Sequence, residues 1–185
     1  MNVHLTISRA AAAALVALVS TFVPTAAAGA PQRDGDDQVS AARPIPFTGT
    51  LDGVHTSRTP LTGAVVRDRF DLGGRAIMLG RFTVVIESTV DFGARPVTGF
   101  GTITFTAASG DKLVADQSGA SALLVPGTVL ITEHAVIDPL RSTGRFAGAE
   151  GTFTVQRTAD AATGVGGRTG GSFAGTISLP RRSPH

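Results

Sequence analysis

The strongest constraint on this chain is a series of short β-forming segments separated by turn-forming residues. From Pro44 to Leu179, stretches rich in Val, Ile, Thr and Phe alternate with Gly, Pro, Asp and Ser, a pattern typical of strands and turns. No window shows the 3.6-residue apolar period that favours a helix. We therefore predict an all-β domain of eight strands, at residues 45–51, 64–71, 75–88, 97–107, 112–119, 128–137, 144–157 and 171–179.

Several of these segments place bulky apolar residues on one face and hydroxyl residues on the other. In the last segment Phe173, Gly175 and Ile177 share one face, while Ser and Thr dominate the alternate positions. This alternation is typical of an antiparallel sheet with one buried face.

Short phrases such as GRFTV, GRFAG, GTFTV and GSFAG place a glycine two residues before a phenylalanine. Such a glycine can make room for an aromatic ring on a neighbouring strand or permit a bend. The repetition favours an up-and-down meander, and closure into an eight-stranded antiparallel β-barrel would remove its exposed edges. A β-sandwich is the alternative.

The chain ends differ in character from this domain. Residues 1–28 have the order of a secretory signal peptide, with an uncharged run at 10–23, then Pro24 and small residues. That run is shorter than the roughly 20 residues that span a bilayer, so we expect cleavage after Ala28 and a secreted, periplasmic or extracellular protein without a membrane span. Residues 29–43 are predicted to be a disordered linker, 44–180 the barrel, and 181–185 a disordered tail.

Composition excludes several classes of function. Cleavage would remove only Arg9 from the charged residues and leave 15 basic against 14 acidic side chains. This near balance of charge predicts no electrostatic attachment to nucleic acid. No cysteine is present to form a disulfide or act as a nucleophile. His55, His134 and His185 have no metal-binding spacing, and we expect neither a metal nor a cofactor.

One run of residues resembles a known family. Thr143, Gly144, Arg145, Phe146, Gly148, Ala149 and Gly151 match the glycine-rich signature of the allene oxide cyclase and dirigent-like superfamily, whereas Arg141-Ser142 stands where that signature usually has Gly-Gly. The resemblance extends over about residues 45–179 and implies an eight-stranded antiparallel barrel. An enzyme of this family would be a cyclase or isomerase, although the fold hosts several functions.

The candidate site residues are those that could line a barrel lumen. Glu133 lies on an apolar strand face and could act as a catalytic acid or base. Glu87 also shares a strand face with apolar residues and is a second candidate for this role. Phe105, Phe153 and Arg157 are candidate ligand-binding residues, because a small polar cluster in an apolar pocket is typical of a small-molecule site. Alternatively, Glu133 forms a structural ion pair with an arginine on a neighbouring strand.

Two functions follow from this interpretation. The first is a secreted barrel that binds a small hydrophobic molecule in its lumen, with or without cyclising or isomerising it. The second is a non-enzymatic exported module whose lumen is filled by side chains and whose outer surface makes the interactions.

Overall fold

The structure, a computed structural model, describes residues 43–180. The predicted signal peptide, residues 29–42 of the predicted linker and the predicted tail lie outside the described residues. Across residues 43–180 there is no helix with the length and apolarity needed to cross a membrane.

Eight antiparallel strands form a closed barrel in which each strand pairs with its neighbours in the sequence and the last pairs with the first. The predicted up-and-down barrel is therefore confirmed, and the alternative β-sandwich is wrong. Within the described residues the only helix is a single 3-10 turn, Gly144–Phe146. The strands are Ile45–Thr62 (β1), Val65–Ala76 (β2), Gly80–Asp91 (β3), Val97–Ala107 (β4), Lys112–Val125 (β5), Thr128–Ile137 (β6), Glu150–Asp160 (β7) and Arg168–Ser178 (β8).

The predicted strand bounds match the structure residue for residue in β4 and β6 and differ most in β1 and β7. β1 continues for 18 residues, with register shifts after His55 and after Pro60. Gly73 and Gly74 lie inside β2, and the turn to β3 falls at residues 77–79. The predicted bounds place the turn between the second and third strands at residues 72–74, and this placement is wrong. Gly74 is instead a point of close contact between β2 and β1.

The glycine-rich run that carries the family resemblance lies in a loop as far as Ala149, and β7 begins at Glu150, six residues later than predicted. Residues 138–149 connect β6 to β7, and the side chains of Phe146 and Ala149 in this loop are completely buried. Gly144 and Gly148 have positive φ angles of 61° and 75°, which glycine adopts without strain. The loop fills one end of the barrel, which we call the closed end.

Beside the closed end, the lumen is packed with aromatic side chains. Neighbouring ring centroids lie 4.8–6.0 Å apart, at angles typical of favourable edge and tilted contacts. The rings, which we call the aromatic cluster, belong to Phe47, Phe82, Phe105, Phe153 and Phe173.

Glycines on neighbouring strands create the space for these rings. A Cβ at Gly49 would lie 2.6 Å from the ring of Phe173, and one at Gly175 would lie 2.6 Å from Cβ of Phe153. Gly49 and Gly175 follow Phe47 and Phe173 by two residues, so they are not the glycines for which this role was predicted. Gly151 and Gly171, which precede phenylalanines by two residues, instead allow close approach to the backbone of an adjacent strand.

Candidate functional site

The inward side chains change from aromatic to polar about halfway along the barrel. Seven of them, contributed by every strand except β4, are only 2–5% exposed and form a polar layer across the lumen. We call this layer the polar belt; its members are His55, Asp68, Ser88, Gln117, Glu133, Arg157 and Thr169.

The centre of the polar belt is a buried ion pair between β6 and β7. Arg157 Nε donates to Glu133 Oε2 at 3.1 Å and Nη2 donates to Oε1 at 3.0 Å, so the contact is bidentate. Arg157 Nη1 donates to Thr169 Oγ1 at 3.0 Å, and the guanidinium lies 4.2 Å from the centroid of the Phe70 ring. Bidentate geometry and extra hydrogen bonds are what make a buried charge pair tolerable.

A second set of charged groups lies on β1 and β2. Arg58 Nε and Nη2 each donate to Asp68 at 2.7 Å, and this hydrogen bonding raises the pKa of Arg58 above its usual value. His55 Nε2 lies 2.9 Å from the carbonyl oxygen of Ser57 and 3.3 Å from Asp68 Oδ1. Because a carbonyl oxygen can only accept, Nε2 carries a hydrogen, and in the neutral imidazole Nδ1 is then an acceptor.

The third part of the polar belt joins β5 to β3 across a glycine. Gln117 and Ser88 are both register partners of Gly101 on the intervening strand β4. Because Gly101 has no side chain, Gln117 Nε2 reaches across it and donates to Ser88 Oγ at 2.7 Å. Gln117 Oε1 is buried and has no hydrogen-bond partner within residues 43–180.

Between the polar belt and the other end of the barrel, which we call the open end, the lumen contains a cavity of about 310 Å³. The polar belt forms its floor. Its walls are largely apolar and include Phe70, Val90, Val97, Val129 and Ile131. Three arginines and three carboxylates are also among the lining residues, so its charges balance: Arg58, Arg157 and Arg168 with Asp68, Glu133 and Asp160.

The cavity exists because inward positions near the open end carry small residues. On β4 the inward series runs from Ala107, Phe105 and Ile103 to Gly101 and Gly99. The same decrease in size occurs on β5, where Gly119 and Ser121 follow Leu113, Ala115 and Gln117. A small barrel is filled or hollow according to the volume of its inward side chains, and here one half is filled and the other is hollow.

The mouth of the cavity is surrounded by the hairpins of the open end. Arg58 lies 4.7 Å from the centroid of the Phe92 ring at this mouth. Asp160 accepts hydrogen bonds from the Thr163 hydroxyl and from the backbone N–H groups of Thr163 and Ala162, which lower the pKa of its carboxyl. All four hairpins also expose apolar side chains here, namely Leu61, Phe92, Leu123, Leu124, Val125 and Val165.

The structure brings together only part of the predicted site. Glu133 and Arg157 both line the cavity, and they form with each other the ion pair that was the alternative interpretation of Glu133. The expectation that Glu87 could line the lumen is wrong. Ile86 and Ser88 face the lumen, so Glu87 faces outward, where its Oε1 atom lies 3.0 Å from Arg69 Nη1. Phe105 and Phe153 lie in the lumen but within the aromatic cluster, and neither lines the cavity.

Sequence reasoning did not assign five polar-belt residues to the site: His55, Asp68, Ser88, Gln117 and Thr169. Gln117 shares an inward face with Leu113 and Ala115, so its position on an apolar face was a usable signal. His55 and Asp68 become neighbours only through the pairing of β1 with β2, and the predicted first strand ended before His55. His134 lies on the outer face, where Nδ1 is 3.1 Å from Thr154 Oγ1, so it is not part of the cavity.

Comparison of the chain with protein-family models, with characterised proteins and with solved structures finds no match. Within residues 43–180 no group of three His, Asp or Glu side chains is arranged to hold a metal ion.

Proposed function

We propose that this protein is an exported barrel that binds a small, mainly apolar molecule in the cavity at its open end. The observation that carries the proposal is the cavity of about 310 Å³ with apolar walls above the buried polar belt. Ligand sites are typically concave, mostly apolar and provided with a few fixed polar groups. The volume is at the small end of the usual range of about 300–1,000 Å³, which favours a small compound over a peptide.

Two further features support ligand binding. The polar groups of the floor hold one another in place, as in the bidentate pair of Arg157 and Glu133, so little ordering is required when a ligand enters. The apolar rim of the open end, with Phe92 and Leu123 exposed, offers an apolar ligand contact before it reaches the cavity.

The proposal extends to family and location. The glycine-rich run at residues 143–151 and the closed eight-stranded barrel support membership of the allene oxide cyclase and dirigent-like superfamily. The signal-peptide pattern of residues 1–28 supports export. Cyclisation or isomerisation of the ligand would require mainly that the barrel hold a reactive conformer.

A pair of variants on one strand tests binding. Ser121 lines the cavity, whereas Ser118 is exposed on the outer face of the same strand. Wild-type protein should be stabilised against heat by octanol or naphthol, because a ligand that binds only the folded state raises its stability, by about 2.7 kcal/mol at 100 times Kd. Ser121→Phe should abolish the shift in melting temperature, and Ser118→Phe should retain it.

The proposal fails if neither compound, nor a wider set of small neutral apolar compounds, stabilises the wild-type protein. It fails equally if Ser121→Phe folds normally and still shows the wild-type shift, because the compounds would then bind elsewhere.

A further inference from the structure

We infer that the ligand of this cavity carries a neutral hydroxyl group, which Gln117 and Ser88 bind at the cavity floor. The inference rests on the proposed function of the cavity and specifies the chemistry of its ligand. It is carried by the unsatisfied carbonyl oxygen of Gln117, by the hydroxyl of Ser88 and by the balance of charge around the cavity.

The side-chain amide of Gln117 is only half satisfied. This residue is 5% exposed and lines the cavity, and its Nε2 group donates to Ser88 Oγ. Its Oε1 atom is buried without a partner within residues 43–180. A buried acceptor without a partner is costly, and a ligand that supplies a donor at this point removes that cost on binding.

Ser88 completes the recognition site. Its Oγ atom accepts the hydrogen bond from Gln117 at 2.7 Å, and its own O–H remains able to donate. The pair therefore offers one acceptor and one donor side by side. A hydroxyl group matches both, because it donates one hydrogen and accepts through its lone pairs, whereas an ether can only accept.

The charges around the cavity favour a neutral group. Glu133 is engaged by Arg157 and Asp68 by Arg58, each in bidentate contact. Arg168 at the mouth is paired with Asp52 at 2.8 Å. At the cavity floor, where both ion pairs are complete, a carboxylate or ammonium group would bring an uncompensated charge. The remaining carboxylate of the cavity, Asp160, lies at the mouth and is hydrogen-bonded by Thr163 and Ala162.

The backbone arrangement holds the two groups in position. Gly101 of β4 lies between Ser88 and Gln117 in the register of the sheet. A Cβ at this position would collide with the backbone carbonyl oxygen of Glu87. The glycine therefore permits close packing of β3 against β4 and also leaves the space over which the amide and the hydroxyl meet.

Three probes of similar size test the inference: octanol, which carries a hydroxyl, octyl methyl ether, which cannot donate, and octanoate, which is charged. Their Kd values are measured with the wild-type protein by calorimetry. Octanol should bind about 3- to 10-fold more tightly than the ether, as expected for one neutral hydrogen bond, and octanoate should bind more weakly than octanol. In Gln117→Leu the ratio of the ether and octanol Kd values should fall towards one.

Gln156→Leu is the matched control, because Gln156 is exposed on the outer face of β7, and it should keep the wild-type ratio. Equal binding of octanol and ether by the wild-type protein, or tighter binding of octanoate, would overturn the inference while leaving the proposed function standing. Binding of none of the three would count against the proposed function itself. The Kd values of the three probes for the wild-type protein test the inference even if Gln117→Leu does not fold.

Discussion

At the scale of single residues, the most consequential group is the guanidinium of Arg157. Its side chain is 1% exposed and that of Glu133 is 4% exposed, so each depends on the other for compensation of its charge. The net contribution of such a pair to stability can be small, because desolvation offsets the attraction, but removal of one partner leaves a buried charge alone.

Glu133→Gln should therefore lower the free energy of unfolding by about 3–5 kcal/mol, measured by urea denaturation. Glu87→Gln is the control, since the pair of Glu87 with Arg69 is about half exposed, with side-chain exposures of 51% and 42%. That change should cost at most about 1 kcal/mol.

A double variant distinguishes the loss of the ion pair from the cost of leaving one buried charge without a partner. Glu133→Leu combined with Arg157→Met removes both charges and should recover most of the stability lost in Glu133→Gln. A loss of less than about 1 kcal/mol in Glu133→Gln would contradict this account, since a buried and uncompensated arginine would then be tolerated.

At the scale of strands, two adjacent glycines in β2 have different roles. A Cβ at Gly74 would collide with the backbone oxygen of Thr50 and lie 2.8 Å from the Phe82 ring, whereas the nearest atom to a Cβ at Gly73 is 3.4 Å away. Gly74→Ala should destabilise the barrel by about 1–3 kcal/mol, as overpacking does.

Gly73→Ala should change stability by no more than about 0.5 kcal/mol in either direction. Thermal or urea unfolding of the two variants provides the comparison. Equal losses of stability in the two variants would show that the contacts of Gly74 with Phe82 and β1 do not make it less tolerant of a side chain than Gly73.

The loop of residues 138–149 is held partly by the carboxylate of Asp138. Hydrogen bonds from the Arg141 side chain, and from the backbone N–H groups of Arg141 and Leu140, lower the pKa of Asp138. Because the folded-state pKa lies below the unfolded value of about 3.9, the stabilisation is complete above that pH. It is lost as the pH falls through the lowered pKa.

Asp138→Asn should accordingly be less stable than the wild-type protein at neutral pH, and the difference should shrink as the pH falls from about 5 to about 2. Urea denaturation at a series of pH values measures this difference directly. A difference that stays constant over the range would show that the negative charge of Asp138 is not what holds the loop.

At the scale of the whole molecule, the barrel is divided into a structural half and a hollow half. The aromatic cluster and the buried loop residue Phe146 fill the lumen towards the closed end. The cavity lies towards the open end, with the polar belt between them. This division lets the protein keep a large apolar core for stability while leaving space for a ligand.

The glycine-rich run has a structural role within this arrangement. Its phenylalanine, Phe146, packs in the core at the closed end, while the cavity opens at the opposite end. The run therefore shapes the closed end of the barrel. The two predicted site residues that line the cavity, Glu133 and Arg157, lie outside it in β6 and β7.

The sequence by itself determined that the domain is all-β, with eight antiparallel strands and one apolar face on each, because alternation with period two is a local property of a strand. It also identified Glu133 and Arg157 as polar residues on apolar faces. Only the tertiary structure decided which residues meet. The contacts of Gln117 with Ser88, and of His55 with Asp68, depend on the register between strands, and a shift of one residue would turn every side chain to the other face. The cavity likewise depends on small residues from several strands lying at one level of the lumen, and no single segment of the sequence contains that information.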